Sequence, residues 1–145
     1  MQFLKIDDLV SEKMKTYAPI IVRIAISLVF LWFGKEQLMN AEAWTGLIPE
    51  SVISISGMSA LSFVYSNAIS EIIFGILLLV GFFTRLSAIF LALKLFGIMF
   101  IIGYNDVGVR DFGLAMATLS IFLYGADAWC LDKFLEKKNT TSSTL

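Results

Sequence analysis

LSFVYSNAISEIIFGILLLVGFFTRLSAIFLALKLFGIMFIIG, residues 61–103, contains only three charged side chains, Glu71, Arg85 and Lys94. A helix that crosses a bilayer needs about 20 mostly apolar residues. This stretch holds two such runs, residues 61–82 and 86–103. The link Phe83-Thr84-Arg85 between them is long enough only for a tight antiparallel hairpin. Working outward, residues 19–39 form a third run and residues 111–129 a fourth. Pro19 suits the first turn of its helix, where its missing N–H is not needed. Residues 103–108, Gly-Tyr-Asn-Asp-Val-Gly, read as a turn. The fold class is an all-α integral membrane four-helix bundle, one domain over residues 1–145.

Composition agrees. The chain of 145 residues is 58% hydrophobic, 14% aromatic and 16% charged, with mean hydropathy +0.83. A soluble domain is nearer half apolar and a quarter charged, and a small one has too little interior to hide this much apolar surface. With no histidine, no imidazole is present to ligate haem or zinc. One cysteine, Cys130, excludes an intrachain disulfide, a C-x-x-C redox pair and an iron–sulfur site built from this chain alone. A net charge of −1 gives no basic field for nucleic acid. Redox chemistry must come from a bound cofactor or a partner subunit.

Lys and Arg set the orientation. Lys5, Lys13, Lys15, Arg85, Lys133, Lys137 and Lys138 fall on one side of a four-span chain, and Arg110 on the other. The positive-inside rule then places both termini in the cytoplasm and the long loop between helices 1 and 2, residues 40–60, outside. A cleavable leader is not expected, because the first run is too long for a signal-peptide core and carries Arg23. Residues 1–17 mix apolar and charged side chains and read as an interfacial helix. The Thr/Ser-rich residues 139–145 read as a disordered tail.

Ionisable residues at membrane depth are costly and face the bundle interior. They sort into three layers: Arg23 with Asp127 or Asp132, Glu71 with Lys94 near the midplane, and Lys35 and Arg110 with Glu36 and Asp111. Interface anchoring and pairing explain the inner layer as structural. A midplane pair gains little over two leucines, so Glu71 and Lys94 suggest function. Asn67, Ser70 and Glu71 share one helix face that continues to Gly75. That stripe is compatible both with a pocket and with hydrogen-bonding between helices. Gly113, Ala115, Ala117, Ser120 and Gly125 read as a packing face, Trp44 and Trp129 as interfacial anchors, and Cys130 as a structural thiol. Residues 40–60, with Trp44 and Pro49, read as a lid over the bundle mouth.

Several short elements occur in a recognisable order. Arg23 is followed by Phe30-Leu31-Trp32-Phe33-Gly34-Lys35, then by Asn40-Ala41-Glu42-Ala43-Trp44 and Ile48-Pro49. Glu71, Gly75 and Leu78-Leu79-Val80-Gly81 come next, then Thr84-Arg85-Leu86-Ser87-Ala88, Arg110-Asp111, and Gly125 with Trp129-Cys130-Leu131-Asp132. From Arg23 to Asp132 the chain resembles the DoxX-like family of small bacterial membrane proteins. Asp127 stands where such sequences commonly have glycine, and Lys94 is outside the family pattern. The resemblance implies the four-helix fold and a place in the bacterial inner (plasma) membrane. Some relatives look like membrane subunits of a thiosulfate:quinone oxidoreductase, and others are linked to oxidative-stress complexes.

The leading expectation is a redox-associated accessory subunit that binds a quinone or another small amphipathic molecule. Lys35, Asn67, Glu71, Lys94, Arg110 and Asp111 would supply its hydrogen bonds, with Trp32 and Tyr104 as stacking walls. Glu71 would relay protons and Lys94 would stabilise an anionic form. No catalytic residue and no metal site is assigned, and turnover by the isolated chain is not expected. Expected partners are the bilayer, a soluble or membrane redox subunit and further copies of the chain. The alternatives are a small-solute or proton transporter and a structural assembly partner.

Overall fold

The computed structural model describes residues 2–142, with side chains over residues 11–138. Among these the regular elements are helices: α1 (Gln2–Met39), α2 (Ala41–Thr45), α3 (Glu50–Ser56), α4 (Ala60–Val80), α5 (Thr84–Ile102), α6 (Asp106–Tyr124) and α7 (Leu131–Ser142). Four stretches are long and apolar enough to cross a membrane: Ser11–Met39 of α1, and the whole of α4, α5 and α6. They pack in a ring, α1 on α4, α4 on α5, α5 on α6 and α6 on α1.

Each span turns a narrow face inward. On α1 that face is Ile20, Arg23, Ser27, Phe30, Gly34 and Gln37, a three-then-four spacing that follows one stripe of a helix. The apolar core is Ile26, Phe30, Leu78, Ala88, Leu91, Leu95, Ala115 and Ile121. Ile21, Leu28, Ile69, Leu93, Phe100 and Leu123 lie exposed on the outer faces. In a lipid solvent such residues need no cover, so packing between spans rests on close approach instead. A Cβ on Gly34 would stand 2.7 Å from Ile72 Cγ1 and 3.0 Å from the Ala68 carbonyl oxygen. A Cβ on Gly75 would stand 3.2 Å from Leu31. Glycine on both helices thus brings α1 and α4 together, and Gly75 receives a neighbouring helix.

Three boundaries differ from those expected. The last span runs from Asp106 to Tyr124 and not over residues 111–129. Asn105 starts it, its side-chain oxygen accepting from the Gly108 N–H at 2.9 Å, and Gly125, at φ +85°, ends it. Arg110 and Asp111 therefore stand one turn inside α6, and Asp127 lies beyond its end. The expected packing face shifts with it: Gly108, Asp111, Ala115, Thr118 and Ile121 are buried, while Gly113 and Ser120 are exposed. Pro19 lies inside α1, not in a first turn, because residues 2–18 continue the same helix. The carbonyl that loses its partner, on Lys15, belongs to an exposed residue.

At the other margin the backbone of residues 139–142 is helical, as the end of α7. Once residues 131–138 are helical, each further residue need only propagate the helix. Met1 and residues 143–145 of the expected tail lie outside the described residues.

Candidate functional site

The polar residues of the spans form two separate buried assemblies. The first ties the α7 end of the bundle together. Arg23 donates from Nε to Asp127 Oδ2 at 2.6 Å, and from Nη1 to the Leu78 and Leu79 carbonyls at 2.9 and 2.5 Å. The last carbonyls of a helix lack partners within it, so a side chain on α1 satisfies the end of α4. Gly81 follows at φ +74°, where a Cβ would come within 2.6 Å of Cys130 Cα. Asp132 accepts from the Phe83 and Thr84 N–H groups at 2.9 and 2.8 Å, and from the Thr84 hydroxyl at 2.8 Å. That carboxylate caps α5.

Burial acts to raise the Asp127 carboxyl, but the Arg23 hydrogen bond, the Trp129 N–H and the Arg23 charge outweigh it and hold it below the usual aspartate range. Burial pushes the Cys130 thiol up, against the Thr84 hydroxyl and the Arg23 charge. A thiol kept protonated is a poor nucleophile. This layer holds the chain together.

The second assembly borders a cavity of about 200 Å³ at the α2–α3 end. Gln37 of α1 and Asn67, Glu71 of α4 stand on its wall, as do Arg110 and Asp111 of α6. Gln37 Nε2 donates to Glu71 Oε2 at 2.7 Å, and Asn67 Nδ2 donates to Gln37 Oε1 at 2.6 Å and Glu71 Oε1 at 3.2 Å. Lys94 of α5 sits behind this wall and does not line the cavity. Its ammonium reaches Glu71 Oε1 at 3.2 Å, the Asn67 carbonyl at 3.0 Å and Ser70 Oγ at 2.9 Å. All three of its donors are thus engaged. On α6, Arg110 holds Asp111 Oδ1 from Nε and Nη2, both at 2.8 Å. The Arg110 guanidinium also lies 4.7 Å from the centre of the Phe33 ring, within cation–π range.

A family model described as DoxX matches residues 18–103, more than half of the chain. The chain belongs to the DoxX family. No curated protein and no solved structure matches it. In this DoxX protein the matched segment contains Gln37, Asn67, Glu71 and Lys94, while Arg110 and Asp111 lie beyond it.

Of the six residues singled out from sequence, Asn67, Glu71, Arg110 and Asp111 meet at one cavity, and Lys94 supports it from behind. Lys35 is exposed and stands away from the cavity. It is two residues from Gln37, so the helix turns it to another face. The aromatic walls also differ from those expected. Trp32 is 56% and Tyr104 98% exposed, whereas Phe30, Phe33, Trp44 and Phe63 line the cavity. Trp44, expected as an interfacial anchor, meets the Phe33 ring edge-on at 6.0 Å. Leu47, Ile48, Pro49 and Val52 of the connecting segment complete the wall.

Gln37 was missed by the sequence reading. Its signal was present: it continues the stripe of Arg23, Ser27, Phe30 and Gly34, which places an amide on a buried face.

Proposed function

We propose that this multi-pass DoxX protein serves a membrane redox assembly of the bacterial inner membrane as an accessory subunit, holding a quinone head group or a similarly small amphipathic ring in its cavity. The observation that carries this reading is the cavity itself. Apolar and aromatic side chains form most of it, and a few polar groups converge on it, which is the pattern of small-molecule sites. Its size suits one ring, since a cavity of about 150 Å³ accepts benzene. Phe33 and Trp44 offer ring faces and edges, Gln37 offers a donor to a ring oxygen, and Asn67 and Asp111 offer acceptors to a ring hydroxyl. A chain with no histidine and a single buried cysteine has no redox group of its own, so electrons would pass to and from partners. Lys94, behind Glu71, keeps that carboxylate in place and does not touch the ligand.

Trp44 supplies the readout. In protein carrying Trp32→Phe and Trp129→Phe, tetramethyl-benzoquinone is expected to quench Trp44 emission saturably. Gln37→Leu, which removes the amide hydrogen left free for a ring carbonyl, is expected to raise the apparent Kd about tenfold, the size of one lost buried hydrogen bond with its stranded partner. Quenching that stays linear with quinone concentration, or an unchanged Kd in Gln37→Leu, contradicts the reading.

A further inference from the structure

The cavity wall keeps two hydrogen-bond acceptors that the protein itself leaves without a donor. The Glu71 carboxylate, ion-paired with Lys94, only accepts. Gln37 and Asn67 must therefore both turn their NH2 groups toward it. Gln37 Nε2 meets Glu71 Oε2, which leaves Gln37 Oε1 to accept from Asn67 Nδ2. Asn67 Nδ2 then commits its two hydrogens to Gln37 Oε1 and Glu71 Oε1. Asn67 Oδ1 is the atom that remains, an acceptor on a residue of the cavity wall.

Asp111 carries the second acceptor. Arg110 contacts Oδ1 with both Nε and Nη2. Among the described residues no donor reaches Asp111 Oδ2, although the side chain is only 4% exposed. Spare donors stand on the same wall: one hydrogen on Gln37 Nε2, the Trp44 indole N–H and three hydrogens of Arg110, whose side chain is 42% exposed and so open to water. The wall therefore suits a ligand group that both donates and accepts.

We infer that the cavity selects the hydroxyl-bearing, reduced form of its ring ligand, a hydroquinone or related phenol, over the quinone. This rests on the reading that a ring-sized molecule occupies the cavity. A hydroxyl donates to Asp111 Oδ2 or Asn67 Oδ1 and still accepts from Gln37 Nε2. A quinone carbonyl only accepts, and leaves both protein acceptors buried without a donor. A stranded acceptor of that kind weakens binding roughly 5- to 150-fold, and sites built to pair a hydroxyl reject the analogue that lacks it.

The test compares tetramethyl-hydroquinone, kept reduced under argon with ascorbate, against tetramethyl-benzoquinone by equilibrium dialysis with the protein in nanodiscs. The hydroquinone is expected to bind about tenfold more tightly or better. Its dimethyl ether, which keeps the ring and removes both donors, is expected to lose that advantage. Asp111→Asn is expected to narrow the ratio between the two redox forms. If both forms bind and the quinone is equal or tighter, the inference is overturned while ring binding in the cavity stands. If neither form binds, ring binding fails and the inference fails with it.

Discussion

Glu71→Leu is expected to destabilise the folded bundle by about 3–5 kcal/mol, the range for breaking a buried ion pair from one side. The substitution leaves the Lys94 ammonium, 14% exposed and halfway along α5, without a counter-charge. It also strips Gln37 Nε2 of its acceptor. Lys94→Met is expected to act in the same direction, by stranding the carboxylate. The double variant Glu71→Leu/Lys94→Met removes both charges and is expected to recover most of the loss, because a buried pair adds little over apolar residues of similar size. The preference for the hydroxyl-bearing ring should not recover with it. Without the carboxylate nothing obliges Gln37 and Asn67 to turn their NH2 groups away from the cavity. Unfolding of purified protein in mixed micelles, with Trp44 titration of the same samples, measures both effects. A double variant as unstable as either single one, or one that keeps the native ratio of hydroquinone to quinone affinity, contradicts this account of the pair.

Arg23→Met is expected to be comparably severe, about 3–5 kcal/mol. It uncovers an Asp127 carboxylate that is 1% exposed and leaves the Leu79 carbonyl without its donor, while Leu78 keeps the Gly81 N–H. The pH dependence separates this cause from lost packing. In the native protein Asp127 titrates below its ordinary value, which is about 3.9 in the unfolded chain. Its contribution is therefore full above that value and is lost as pH falls through the lower folded one. In Arg23→Met burial prevails and the carboxyl is raised. Acidification then neutralises a stranded charge, so the variant should gain stability relative to its own value at neutral pH. Opposite slopes for the two proteins in acid unfolding are the expected result. Parallel slopes would show that Arg23 acts through packing alone.

The architecture was legible because lipid imposes a simple rule, about 20 apolar residues per crossing, and because buried charges must find partners. That logic led to Glu71 with Lys94 and narrowed the Arg23 partner to Asp127 or Asp132, of which Asp127 forms the pair. It was weaker wherever facing direction, not depth, decides the outcome. Lys35 and Gln37 stand at nearly the same depth, and only the helical stripe shared with Phe30 and Gly34 separates the exposed one from the buried one. Lys94 was correctly paired, but which side of Glu71 it approaches depends on how α5 is rotated against α4. The start of α6 was set by the Asn105 side chain capping Gly108, a local contact that hydropathy does not register. Trp44 entered the cavity wall because α2 places it against Phe33. An aromatic residue near a membrane surface has the same composition signal whether it faces headgroups or a cavity.

Photolabelling tests the central claim, that a ring-sized ligand occupies the cavity between α1, α4 and α6. The protein in nanodiscs is irradiated with an azido-benzoquinone and the labelled peptides are mapped. The account predicts labels within residues 44–52 and 63–71, suppressed by excess tetramethyl-hydroquinone. Labels confined to the lipid-facing residues Leu93, Phe100 and Leu123, or labels that excess hydroquinone does not reduce, would contradict it.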